Sequence, residues 1–210
     1  MASDDDNGYI PVKNYTKKLK QKPAKQIKQP YTAEEYHLIL SYFEQQDKKE
    51  LCLLLRFLWN TGARVGETLK IKLSDLDLSN SRIFLSNKVY KGKQEALLLT
   101  PEAISIVEQV RELAILRGDA NLFSWNRTYY PNESVRRAEI NLGMRVKGRG
   151  LHGLRRAFSN RLFSILKEKK DISLVDIQEI MRHGSIEITL QYYKEFNQSE
   201  LIKTLSKNLE

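Results

Sequence analysis

Apolar positions are sparse up to about residue 30 and then fall into blocks of changing period. Leu38, Ile39, Tyr42 and Phe43 recur at helical spacing. Ahead of them, Thr32-Ala33-Glu34-Glu35 has the spacing of a capping box, with Glu35 reaching back to the cap. A second helix is predicted from about 48 to 60. Its run Leu51-Cys52-Leu53-Leu54-Leu55 is apolar enough to be central, and Thr61-Gly62 is a stop signal. Residues 69–81 read as a short helix or turn around Asp75, Asp77, Ser79 and Asn80. Two β-like runs, 82–90 and 94–100, flank Lys91-Gly92-Lys93 and predict a hairpin. Pro101 suits the first turn of a helix that runs to about 116 and is closed by Gly118. A short extended piece is expected at 121–125, a loop at 126–133 and a basic helix at 134–144. Helices at about 152–166, 173–182 and 186–196 follow. Leu201, Ile202, Leu205 and Leu209 mark an apolar stripe on a final short helix within 198–210. The whole predicts a mainly α fold with a small antiparallel β-sheet (α+β), folded over residues 31–197.

Charge adds a partner class. The 210 residues carry a formal net charge of +9, as a protein that meets polyanions does. Residues 1–30 combine Asp4-Asp5-Asp6 with Lys13, Lys17, Lys18, Lys20, Lys22, Lys25 and Lys28, punctuated by Pro11, Pro23 and Pro30. Such a tract reads as a poorly ordered arm or linker. Its lysines could strap across DNA phosphates and add salt-dependent, sequence-blind affinity. Within the folded region the densest basic stretch holds Arg136, Arg137, Arg145, Lys147, Arg149 and Arg156, candidates for further phosphate contacts. The single cysteine, Cys52, excludes an internal disulfide framework and suits a reducing, intracellular compartment. No apolar run reaches the roughly 18 residues of a membrane span, and no signal peptide is visible. Three histidines and one cysteine give no zinc spacing, so no metal and no cofactor are expected.

Candidate chemistry concentrates in residues 151–193. His152 and Arg155 are three apart and share one helix face, joining a phosphate-clamping cation to a proton carrier. A tyrosine nearby, from the pair Tyr192-Tyr193, could be the nucleophile. Adjacent helical residues diverge by about 100°, so only one of the two can face a site.

Three stretches in order, Thr61-Gly62-Ala63-Arg64-Val65-Gly66-Glu67, Leu151-His152-Gly153-Leu154-Arg155-Arg156, and His183 with Tyr192 nine residues later, resemble the tyrosine recombinases, or phage-integrase family. The resemblance covers roughly 30–196, that family's catalytic domain. It implies that Arg64 and Arg155 hold the scissile phosphate, His152 takes the tyrosine's proton and His183 donates to a phosphate oxygen. Glu67 would position its neighbours. The interval from His183 selects Tyr192 as nucleophile over Tyr193. The leaving 5′-oxygen would take its proton from a hairpin lysine, Lys88 by counting from Arg64 or Lys91 by counting back from Leu97.

The implied activity is metal- and ATP-independent DNA cleavage and rejoining through a 3′-phosphotyrosine, by a homotetramer on double-stranded DNA, in the cytoplasm or on the nucleoid. Topoisomerase-IB-like nicking and resealing, or a catalytically silent DNA-binding accessory, are the alternatives. The family's separate N-terminal DNA-gripping domain has no counterpart in residues 1–29. That suggests a piece of a longer recombinase, a short one, or a separate accessory DNA-binding protein. The final helix would be one that protomers exchange.

Overall fold

The computed structural model describes residues 29–90, 93–169 and 171–208. Lys91, the N-terminal lysines and Leu209 lie outside them.

Helix α1 (Ala33–Glu44) starts at the expected capping box: Glu35 N donates to Thr32 Oγ1 at 3.2 Å and Thr32 N to Glu35 Oε2 at 3.0 Å. Its buried face is Tyr36, Ile39, Leu40 and Phe43, so the expected Leu38 points outward instead. Helix α2 (Lys49–Thr61) is apolar on nearly every side because it runs through the centre, packed by α1 and later helices. It stops at Gly62, whose φ of 59° is left-handed; a Cβ there would also overlap the Phe158 ring. That stop delivers the chain into α3 (Val65–Thr68) with Arg64 as its N-cap.

The stretch expected as helix or turn, 69–81, becomes two 3-10 turns around a two-residue strand, β1 (Leu76–Asp77). This strand adds an edge to the predicted hairpin of β2 (Arg82–Tyr90) and β3 (Lys93–Leu98), giving an antiparallel sheet in the order β1-β2-β3. Register breaks between Phe84↔Ala96 and Val89↔Gln94, so residues 85–88 of β2 are opposed by Glu95 alone. Lys88 sits in that irregular stretch.

Thr100 caps α4 (Pro101–Arg117), which ends at left-handed Gly118. Helix α5 (Tyr129–Asn141) begins earlier than the predicted 134, because Pro131 falls in the first turn, where a missing N–H costs nothing. Helices α6 (His152–Lys169), α7 (Leu174–Met181) and α8 (Ile186–Asn208) complete the chain. No separate terminal helix forms. Nothing between Phe196 and Leu201 breaks a helix, and Ser199 Oγ donates back to Glu195 O at 3.0 Å, so α8 runs through.

Two apolar clusters result. The larger joins α1, α2, α4 and the sheet; the smaller is built on Phe163, Ile177, Met181 and Phe196 from α6, α7 and α8. The candidate site residues lie where the two meet.

One expected DNA contact is corrected here. The Arg149 side chain is 1% exposed and donates to Glu139 Oε1 (2.9 Å), Glu35 Oε1 (2.7 Å) and Met144 O (2.7 Å). Tyr31 and Arg145 also donate to Glu139, each at 2.7 Å. An arginine so buried is tolerable only with its partners supplied by the protein. It pins the loop ahead of α6, and with Leu151 N on Asn132 Oδ1 at 3.1 Å it fixes where His152 begins its helix.

Candidate active site

The arginines are seated on helix ends. A helix leaves its last carbonyls unpaired and carries partial negative charge there. The C-termini of α2 and α7 converge. Arg155, from the first turn of α6, donates to Gly62 O at 2.5 Å and to Met181 O. Arg64 donates to Arg182 O at 2.7 Å and to Glu67 Oε1 at 3.0 Å. Glu67 receives Arg182 on its other oxygen, at 3.0 Å, so one carboxylate orients two guanidiniums. Burial, with Arg64 and Arg182 alongside, pushes Arg155 down to about 9, so it stays charged at neutral pH.

Tyr192 Oη lies 3.5 Å from His152 Nε2, a long contact but within reach of proton transfer on modest movement. The Arg156 guanidinium lies 4.6 Å from the Tyr192 ring centroid and pairs with Glu195 at 2.8 Å. Arg156, expected on DNA, is thereby turned inward to brace the tyrosine and α8. Tyr193 points the other way and packs against Phe163, ring centroids 5.3 Å apart. The two tyrosines thus divide as a 100° offset requires, with Tyr192 toward the arginines.

His183 follows the α7 stop. Its Nδ1 lies 2.8 Å from Thr189 Oγ1 on the first turns of α8, which leaves Nε2 for another partner. Burial, then the nearby Arg155, Arg64 and Arg182, push its pKa down to about 4, so the ring is neutral at pH 7. The unfolded chain therefore binds a proton that the fold excludes between about pH 4 and 6.5. Stability from this group is complete above that window and is lost as pH falls through it. Urea unfolding should show His183→Gln losing roughly 1.4 kcal/mol less per pH unit there than the wild type. Parallel curves would remove His183 from the acid response.

The structure thus brings together Arg64, Glu67, His152, Arg155, His183 and Tyr192. Lys88 is placed by its backbone on β2, on the hairpin as expected. Of the basic stretch, Arg136 and Arg145 line a cleft that reaches His152, and Arg137 and Lys147 are exposed. Sequence reading missed Thr189 and Arg182. Arg182 occupies the α7 C-cap at φ 52°, where glycine is the usual residue. Only that mismatch of residue and position could have drawn notice. Among the described residues no group of three His, Cys, Asp or Glu could hold a metal ion, and no helix is long and apolar enough to cross a membrane.

The sequence is 26% identical over 154 residues to the tyrosine recombinase XerH of Campylobacter jejuni, covering 71% of this chain and 42% of that protein. It is 23% identical over 166 residues to a probable integrase/recombinase of Acholeplasma phage L2, covering 76% and 55%. Among solved structures, XerH bound to its palindromic difH substrate in a post-cleavage complex shares the fold, with a TM-score of 0.66 at 23% identity over 88% of this chain and 54% of that one. The chain spans about half the length of these relatives. The sequence profile of the phage integrase family matches residues 29–200, nearly the whole described region, and the chain belongs to that family.

Proposed function

We propose that this chain is the catalytic part of a site-specific DNA recombinase. The observation that carries the reading is Tyr192 Oη at 3.5 Å from His152 Nε2, beside arginines held on two helix ends. In the reaction Tyr192 Oη attacks a backbone phosphorus as His152 Nε2 takes its proton. The P–Oη bond forms and the P–O5′ bond breaks. Arg64 and Arg155 supply charge to the non-bridging oxygens as negative charge grows. Neutral His183 suits a hydrogen-bond donor there, from Nε2 if Thr189 donates to Nδ1. The DNA end is held as a 3′-phosphotyrosine; a 5′-hydroxyl later attacks that phosphorus and gives its proton to the group that had protonated the leaving oxygen, while His152 returns a proton to the departing Tyr192 Oη. The covalent link conserves the phosphodiester energy, so ATP is not required, and the two arginines supply the positive charge that a metal would otherwise bring. The test is a nicked substrate whose cleaved fragment diffuses away. A detergent-resistant protein–DNA adduct should form in EDTA without ATP; no adduct under any condition would overturn the reading.

The general acid in this scheme is Lys88, with Lys91 as the second candidate. A 5′-bridging sulfur leaves without a proton, so it should rescue alanine at the true acid and not at the other lysine. Rescue of neither would place the acid elsewhere.

Exchange between two duplexes needs four such sites, hence a homotetramer on double-stranded DNA. The exposed Leu201, Ile202 and Leu205 at the end of α8 favour assembly over solitary nicking and suit the tail for docking on a neighbouring protomer. Arg136, Arg137, Arg145, Lys147 and the N-terminal lysines would carry duplex phosphates, with an accessory DNA-binding protein sharing that load. A free buried Cys52 and a DNA substrate fit an intracellular, nucleoid setting.

A further inference from the structure

Two side chains of opposite charge face one cleft with buried polar atoms left unsatisfied. The Arg182 side chain is 6% exposed, yet among the described residues its Nε and Nη1 have no hydrogen-bond partner; nor has the buried Oε2 of Glu95. Both residues line a cleft of about 410 Å³ between β3 and the α7–α8 turn, with Gln178, Glu179 and His183. Buried donors and acceptors without partners are costly, and the polar cleft between these two has room for bridging water. Arg182 is tied on its other side to Glu67 and, through its carbonyl, to Arg64. Glu95 is the one β3 residue opposite residues 85–88, the stretch that contains Lys88. Arg182 also keeps a left-handed backbone at φ 52°, which a non-glycine residue adopts only at a cost.

We infer that Arg182 and Glu95 are a positioning pair that ties β3 to the arginine cluster and so sets the irregular β2 stretch carrying the proton-donating lysine. The pair acts through the hairpin rather than on the reacting atoms. Burial pushes Arg182 down, and Glu67 and Glu95 draw it back, consistent with attraction across the cleft.

The inference rests on the strand-transfer reading and on a hairpin lysine as general acid, and the experiment separates the three. Adduct formation is timed on matched nicked substrates with 5′-bridging oxygen or sulfur. Glu95→Gln should slow the oxygen substrate by roughly tenfold or more and the sulfur substrate hardly at all. Glu95→Asp keeps the charge and should stay within about threefold of wild type on both. Arg182→Gln also disturbs Glu67 and Arg64, so it loses more. Adding Glu95→Gln to it should cost less than about threefold further, as for two halves of one contact. Thermal unfolding of each variant checks the fold, and Arg182→Gly, suited to φ 52°, replaces Arg182→Gln in the cycle if the latter unfolds. Wild-type rates for Glu95→Gln, losses that sulfur leaves unrelieved, equal losses in Glu95→Asp, or multiplying losses in the double variant would each overturn the pair. No adduct from the wild type would remove the strand-transfer reading and the pair together. An unrescued Lys88→Ala beside a rescued Glu95→Gln would move the acid and leave the pair standing.

Discussion

Replacing Tyr192 by phenylalanine should end covalent adduct formation, a loss of about 10⁴-fold or more, while half-site DNA affinity stays nearly unchanged. The substitution removes one oxygen. The ring keeps its place beside His183, centroids 5.3 Å apart, and under the Arg156 guanidinium, so little packing is lost. What goes is the oxygen within reach of His152 Nε2 that would bond to phosphorus. Tyr193→Phe is the internal control. Its ring lies on Phe163 in the smaller core, and losing its hydroxyl should leave adduct formation close to wild type. The assay is the suicide substrate resolved on a denaturing gel. Adduct from Tyr192→Phe and none from Tyr193→Phe would invert the assignment.

Arg155→Lys and Arg64→Lys should each slow cleavage by roughly a hundredfold or more, although both keep the positive charge. A guanidinium grips its carbonyls and still offers N–H groups to phosphate; a lysine ammonium cannot span the same points. The two variants should differ in stability. Arg155 is 3% exposed and joins the ends of α2 and α7 through Gly62 O and Met181 O, so its loss should cost on the order of 2 kcal/mol in urea unfolding. The Arg64 side chain is 34% exposed and its lysine variant should unfold nearly like wild type. Near-normal cleavage by either variant would sink that residue's assignment. Equal stability losses would show that Arg155 is not the structural bolt described.

Most of the framework was legible because local chemistry announced it. The Thr32–Glu35 capping box, the Gly62 and Gly118 stops and the Thr100-Pro101 start are short-range signals, and each element began or ended there. The residues that gather at the candidate site were legible as motifs, since His152 and Arg155 share a helix face and Arg64 follows a stop. Burial of charge was not legible. Arg149 looked like one more surface cation because its burial depends on α1, whose Glu35 lies 114 residues away and encloses it together with the nearer Glu139. Arg182 was invisible for the same reason: its meaning depends on Glu67, and on Glu95 across a cleft that only the tertiary fold creates. The β2 register break follows from pairing geometry, which no run of apolar residues encodes.

The unbroken α8 makes Tyr192, the proposed nucleophile, one arm of a lever. Phe196, wedged against Phe163 in the smaller core, is the natural fulcrum. Tyr192 lies about 6 Å along the axis on one side of it and Leu205 about 13 Å on the other, at roughly 1.5 Å per residue. A sideways pull of about 1.5 Å at the tail therefore swings the tyrosine by roughly 0.7 Å the opposite way. That is the gap between the 3.5 Å separation of Tyr192 and His152 and a working hydrogen bond of about 2.8 Å. Whatever grips the far end of this helix also holds the throttle of the chemistry.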